Sequence, residues 1–110
     1  MMQELIHTIG RIVARPGRGP LLEAALGDIA REARLEPGNL QFDLYRDTSD
    51  DHAFVVEERW ADGASMQNHG TTPQARRLAV LIGVLARAPL EVTTLEAIDG
   101  GLPAKSGAYA

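Results

Sequence analysis

Cysteine is absent from this chain of 110 residues, and its absence removes several kinds of chemistry at once. Disulfide bridges, thiolate catalysis and zinc sites built on cysteine are all excluded. Long hydrophobic runs are also missing, since no stretch approaches the roughly 20 apolar residues that span a bilayer. The segment 5–13 is interrupted by polar residues and a glycine, so it does not resemble a signal peptide. We therefore expect a soluble, cytoplasmic protein with no membrane partner.

Positive charge is scarce as well. The chain has 11 lysine and arginine residues against 15 aspartate and glutamate residues, which gives a net charge of -4. Only Arg76-Arg77 forms an adjacent basic pair, and neighbours on a helix point about 100° apart. Without a basic face, a nucleic-acid partner is not expected. The three histidines, which lie at positions 7, 52 and 69, have no metal-ligand spacing, so we predict no metal site.

Hydrophobic residues make up 45% of the chain and fall into periodic segments that predict its secondary structure. Alternation at Leu40, Phe42 and Leu44 is typical of a half-buried strand, whereas a period near 3.6 indicates helices. The predicted strands are 5–14, 40–45, 53–60 and 90–98, and the predicted helices are 21–35, 63–68 and a longer one after Thr72-Pro73. The polar segment 47–51 is predicted to be a hairpin loop between the second and third strands.

This order, β-α-β-β-α-β with a broken second helix, predicts an α+β fold of the ferredoxin-like type. Its antiparallel sheet would carry the helices on one face and leave the other face open. Apolar residues are predicted on the open face at Ile9, Val13, Tyr45, Val55 and Leu95. An uncovered apolar face on a small domain implies a partner, and we predict a homodimer formed through it. Residues 1–98 would form one domain, followed by a flexible tail, 99–110.

The segment that runs from Glu58 through Trp60 to His69 is the best candidate for a functional site. Trp60 is the only tryptophan, and alternation places Phe54, Val56, Glu58 and Trp60 on one strand face. That face would be the buried one. If the short helix folds back over this strand, a carboxylate, an indole and an imidazole converge beside an apolar pocket.

Two residues of this segment are candidates for proton transfer. His69 can take or give a proton near neutral pH, or it can simply hydrogen-bond backbone carbonyls at a helix end. Glu58 on an apolar face would cost on the order of several kcal/mol unless it is paired or protonated. It could orient His69, act as the base itself, or form an ion pair with Arg76 or Arg77. A register shift of one residue would turn Glu57 inward instead.

The remaining candidates would bind the substrate. Trp60 is either a core anchor or a surface on which a planar aromatic substrate stacks. Asn39 is either a substrate contact or a turn residue after Pro37-Gly38, and Phe42 and Met66 are walls of the pocket or part of the core.

The chain resembles the antibiotic biosynthesis monooxygenase family, small cofactor-independent oxygenases related to quinol monooxygenase. The resemblance covers roughly residues 5 to 98. It is carried by Arg15-Pro16-Gly17, Glu36-Pro37-Gly38-Asn39, Phe42-Asp43-Leu44-Tyr45-Arg46, Glu58-Arg59-Trp60, His69 and Thr72-Pro73. It implies a dimeric α+β barrel, in agreement with the periodicity.

The resemblance also implies a set of possible activities. The family includes quinol oxidases, polyketide-tailoring oxygenases, haem-degrading enzymes and an isomerase of a phosphorylated sugar, and fold alone does not choose among them. The haem-degrading branch carries an asparagine in strand one where this chain has Gly10. We therefore expect a monooxygenase that oxidises a small planar phenol or hydroquinone with dioxygen, with His69 and Glu58 catalytic. The alternatives are an isomerase that uses the same pocket, or a non-catalytic dimeric binding module.

Overall fold

A computed structural model describes residues 5–100 of the chain and contains four strands and three helices in this range. They are β1 (Ile6–Val13), α1 (Gly19–Ala33), β2 (Asn39–Asp47), β3 (Asp50–Trp60), α2 (Gly63–Gly70), α3 (Pro73–Leu85) and β4 (Glu91–Leu95). This order confirms the predicted β-α-β-β-α-β arrangement and its broken second helix. The predicted tail, 99–110, lies outside the described residues from residue 101 onward. None of the described helices is long and apolar enough to cross a membrane.

The strands form one antiparallel sheet in the order β2-β3-β1-β4. Helix α1 packs on β2 and β3 and also against α3, which places the helices on one face. The predicted α+β, ferredoxin-like fold is therefore confirmed. All five residues of the edge strand β4 are exposed, so the helices leave that end of the sheet uncovered.

The core lies between the helices and the sheet face that we call the covered face. The largest fully buried side chains are Trp60, Phe54, Ile12 and Leu22. Burial of such a side chain contributes about 1.5–3 kcal/mol, so these residues fix which face the helices cover. The predicted alternation along β3 is confirmed, because the register places Glu58 on the same face as Trp60 and Glu57 on the opposite one.

The β2–β3 hairpin is tighter than the sequence suggested. In place of the predicted loop, 47–51, the strands are joined by a two-residue turn, and Asp47 pairs with Asp50. The Asp47 carboxylate accepts hydrogen bonds from the backbone and the hydroxyl of Ser49, at 2.8 and 2.7 Å, and from Arg11 at 2.7 Å. The Ser49 bonds and then the Arg11 bond lower the pKa of Asp47 to about 2. The loop prediction was wrong because an aspartate side chain can close a short turn by itself.

Helices α2 and α3 begin at the predicted capping residues. Asp62 accepts a hydrogen bond from the Ser65 backbone at 2.8 Å, and Thr72 accepts one from the Ala75 backbone at 3.2 Å. The Thr72 hydroxyl also donates to the carbonyl of His69 at 2.8 Å. These bonds hold the two helices in a close turn and fix His69 in the last turn of α2.

The second sheet face, which we call the open face, mixes apolar and charged residues. The register places Ile9, Val13, Val55, Tyr45 and Leu95 on it, as the alternation predicted. A polar cluster interrupts them, which we call the open-face cluster: His7, Tyr45, Glu57 and Arg59. This face therefore offers both apolar area and directed polar contacts.

Candidate active site

Four side chains form a row across the covered face, perpendicular to the strands. Glu58 on β3 pairs with Phe42 on β2 at one side and with Thr8 on β1 at the other. Thr8 in turn pairs with Thr94 on β4. Because directly opposed residues of an antiparallel pair share a face, these four residues lie side by side.

The imidazole of His69 lies over the aromatic end of this row. Its ring centroid is 4.9 Å from that of Trp60, with 33° between the planes. The centroid of Phe42 is 5.7 Å away at 60°. Helix α2 therefore folds back over β3 and brings the imidazole onto the indole. The His69 side chain is only 14% exposed.

The carboxylate of Glu36 holds this imidazole, although Glu36 was not predicted to belong to the site. His69 Nδ1 lies 2.9 and 3.1 Å from the two carboxylate oxygens of Glu36, whose side chain is 13% exposed. The ring nitrogen therefore bonds a carboxylate and not backbone carbonyls. This partner favours the tautomer with the proton on Nδ1, which leaves Nε2 as a proton acceptor. Within residues 5–100, Nε2 has no hydrogen-bond partner.

A turn of unusual geometry brings Glu36 to this place. The Asn39 backbone donates to the Glu36 carbonyl at 3.2 Å, and Gly38 has a φ of +80°. Pro37 and Gly38 thus occupy the two central positions of a type II turn. A Cβ atom at position 38 would overlap the Ser65 hydroxyl and lie 2.5 Å from the Ser65 Cβ. Glycine is therefore required twice, for the backbone angle and for the close approach of the turn to α2.

Glu58 makes a different contact from those expected. Its Oε1 accepts a hydrogen bond from the Trp60 indole nitrogen at 2.9 Å. No ion pair with Arg76 or Arg77 forms within residues 5–100, where both arginines are exposed. The carboxylate that contacts His69 is Glu36. Glu58 instead fixes the indole and keeps its second oxygen without a partner among the described residues.

The structure places the predicted substrate-binding residues at differing distances from this centre. Trp60 is fully buried and Phe42 is 4% exposed, so both rings form the floor beneath His69. Met66 is half-buried and packs against the core cluster. The Asn39 amide donates to the Gln41 carbonyl at 3.1 Å, a local contact at the start of β2. The substrate-binding roles of these four residues stay predictions.

A possible metal site lies elsewhere. Among residues 5–100, the group that brings ligand atoms close together is Asp50, Asp51 and His52, whose atoms lie within 4.8 Å of one another. It belongs to the β2–β3 hairpin, at the far end of β3 from Trp60.

Sequence reasoning missed Glu36 and Thr8. Thr8 had a detectable signal, since it alternates with Gly10 and Ile12 on the covered face of β1. Glu36 stands 33 residues from His69 along the chain, and only the Pro37-Gly38 turn beside it indicated an unusual backbone.

The family described as "Antibiotic biosynthesis monooxygenase" matches residues 5–80. The match begins at β1 and reaches into α3, so it includes every residue of the site described above except Thr94. Most of the sheet and the whole Glu36–His69 pair therefore fall within it.

Individual relatives agree with this match. YcnE of Bacillus subtilis, which is provisionally named as a monooxygenase, is 32% identical over 68 residues, covering 62% of this chain and 72% of that protein. An isomerase of (4S)-4-hydroxy-5-phosphonooxypentane-2,3-dione from Yersinia enterocolitica is 37% identical over 60 residues, covering 54% of this chain and 62% of the isomerase. The crystal structure of PA3566 from Pseudomonas aeruginosa superposes with a TM-score of 0.83 at 29% identity, covering 90% of this chain and 99% of that chain.

Proposed function

The chain belongs to the antibiotic biosynthesis monooxygenase family, and on this premise we propose that it is a cofactor-independent monooxygenase that oxidises a small planar phenol or hydroquinone with dioxygen. The observation that carries the proposal is the Glu36–His69 pair held against the rings of Trp60 and Phe42. It supplies a proton acceptor beside an aromatic floor.

In the proposed reaction, Nε2 of His69 takes a proton from a hydroxyl of the substrate. Glu36 at Nδ1 stabilises the resulting imidazolium, as a carboxylate does for a general base. The electron-rich anion then reacts directly with dioxygen. With hydroquinone, one oxygen atom enters the ring to give hydroxyquinone and the other leaves as water, so the substrate supplies all the electrons.

An isomerase is the second candidate, because the Yersinia enterocolitica relative carries that name. The same His69 nitrogen would then move a proton between carbon or oxygen atoms of the substrate, with no net oxidation. Both reactions use the same base, so the geometry of the Glu36–His69 pair supports either one. The provisional monooxygenase name of YcnE favours the first.

We also propose that two copies associate through the open face. Apolar residues such as Ile9, Val13 and Val55 lie there, and the described helices pack on the other side of the sheet. The association would cover this apolar area and the polar groups between it. The covered face of each copy, which carries His69, would take no part in this association.

Oxygen uptake with a panel of hydroquinones and phenols tests the proposed activity. The protein should consume dioxygen, labelled oxygen should appear in the product, and His69→Ala should lower turnover by at least about 100-fold, the lower bound usual for a general base. His52→Ala is the matched control, since His52 lies in the exposed hairpin. Isomerised product without oxygen uptake would favour the second candidate. No turnover of any kind, with ligand affinity unchanged in His69→Ala, would leave only a binding module.

A further inference from the structure

Thr8 is a polar residue in an otherwise apolar core. It is 5% exposed and lies on the covered face of β1, between Glu58 on β3 and Thr94 on β4. Valine has the same shape and fits a strand equally well. A hydroxyl at this buried position therefore needs a reason other than packing or strand formation.

The hydroxyl of Thr8 has no hydrogen-bond partner among residues 5–100. In the same range, no side-chain nitrogen or oxygen is both fully buried and unpaired. The Thr8 oxygen must therefore reach space that the described protein atoms do not fill. An unpaired hydroxyl in such a place is unfavourable unless water or a ligand bonds it.

Glu58 presents a second unpaired oxygen directly beside it. Glu58 and Thr8 are opposed across β1 and β3, which places their side chains next to each other on the covered face. Oε1 of Glu58 is committed to the Trp60 indole, whereas Oε2 has no partner among residues 5–100. At the other side of Thr8, every residue of β4 is exposed, so the row can be reached from that edge.

We propose that Thr8 and Glu58 together bind one hydroxyl group of the substrate, and that Glu58 thereby selects a free hydroxyl over its ether. This inference rests on the proposed function for the class of the substrate. The substrate hydroxyl donates to Oε2 of Glu58, and the Thr8 hydroxyl donates to the substrate oxygen. The pair would accept a free phenol and reject its methyl ether, because the ether cannot donate and leaves the carboxylate oxygen unpaired.

Anaerobic binding of hydroquinone and of its dimethyl ether tests the proposal without any turnover. Trp60 is the only tryptophan and its nitrogen bonds Glu58, so its fluorescence reports binding at this place. Thr8→Val should weaken hydroquinone binding about tenfold. Glu58→Gln, which can still accept the indole hydrogen bond but replaces the free acceptor oxygen by a donor, should reduce the preference for hydroquinone over the ether. Thr93→Val is the matched control, because Thr93 lies on the opposite face of β4, and it should change neither affinity. Thr8→Ser, which keeps the hydroxyl, should retain the preference for hydroquinone.

Three outcomes would overturn the proposal: unchanged hydroquinone binding in Thr8→Val, an unchanged preference for hydroquinone in Glu58→Gln, or no binding of hydroquinone by the native chain. If Thr8→Val does not fold, loss of the preference in Thr8→Ser would also overturn it. Failure of the proposed function would differ. Hydroquinone would then bind in a Thr8-dependent manner, yet no oxygen would be consumed in air.

Discussion

Two histidine–glutamate pairs lie on opposite faces of the same sheet and are nearly alike in local geometry. His69 Nδ1 is 2.9 Å from the nearer oxygen of Glu36, and His7 Nε2 is 2.8 Å from Glu57. Their side chains are exposed to similar degrees, 14% and 13% in the first pair against 18% and 20% in the second. Distance and burial therefore do not distinguish them.

The residues around the two pairs distinguish them. His69 lies against the rings of Trp60 and Phe42, so aromatic side chains surround its imidazole. Glu57 of the second pair also accepts a hydrogen bond from Tyr45 at 3.2 Å. Burial, and then the negative charges of Asp43 and Glu57, raise the pKa of Tyr45. A histidine–carboxylate pair by itself thus does not mark a catalytic site, and its neighbours decide what it can do.

The largest effect is expected from disrupting the Pro37-Gly38 turn, which supports the Glu36–His69 pair but not the His7–Glu57 pair. Gly38→Ala should lower the free energy of unfolding by about 2–5 kcal/mol, because a left-handed angle costs roughly 1–2 kcal/mol and overlap with Ser65 adds roughly 1–3 kcal/mol. Urea denaturation measures this change. Gly17→Ala is the control, since Gly17 has a φ of +76° but open space around it. Equal costs at both positions would contradict the close packing of the turn on α2.

Removing one charge from each pair should separate their roles in turnover. Glu36→Gln should lower kcat roughly tenfold or more, because the imidazole loses the carboxylate that orients it and stabilises its protonated form. Glu57→Gln should leave the turnover nearly unchanged. Steady-state kinetics at saturating substrate measures both. Similar losses in the two variants would show that the neighbours do not distinguish the pairs.

A smaller effect should appear in association. If two copies meet through the open face, His7→Ala removes a polar contact from the interface and should weaken the dimer by about 1 kcal/mol, or roughly fivefold. Sedimentation at a series of concentrations gives the dissociation constant. His69→Ala, on the covered face, should leave it unchanged. A dissociation constant that responds to His69 but not to His7 would argue against association through the open face.

The smallest effect concerns the hairpin that carries Asp47. Because the pKa of Asp47 is lowered to about 2, its contribution to stability is present above its unfolded pKa of about 4 and is lost as the pH falls through the folded value. Asp47→Asn should therefore slightly lower the melting temperature at neutral pH, and this difference should shrink as the pH falls from about 4 toward 2. Thermal melts across this range measure the difference. A constant difference at every pH would show that the charge of Asp47 does not stabilise the fold.

Much of the fold followed from local periodicity. Alternation along β3 placed Phe54, Glu58 and Trp60 on one face, and the structure confirms that arrangement. The capping residues Asp62 and Thr72 marked two helix starts through their side-chain chemistry. Such predictions succeed because the determining atoms lie within a few residues of one another.

The contacts that complete the site join side chains and segments whose packing cannot be read from local sequence. Glu36 reaches His69 where the turn that begins at Glu36 packs on α2, a tertiary contact that neither segment reveals alone. The tight turn after Asp47 depended likewise on a side chain that accepts two bonds from Ser49 in place of extending a loop. The residue types at these positions are compatible with several local structures, and contacts in the folded chain determine which one forms.

The contact between Gly38 and Ser65 restricts the order in which the two positions can change during mutation. The Ser65 side chain fills the volume that any side chain at position 38 would need. A substitution at position 38 therefore costs least after Ser65 has been replaced by glycine. Even then, the backbone angle at position 38 remains unfavourable for any other residue. The mutational intermediate with glycine at both positions would be less stable, because glycine inside α2 loses more conformational entropy on folding. The two sites are thus coupled, and a mutational path that begins at position 38 costs more stability than one that begins at position 65.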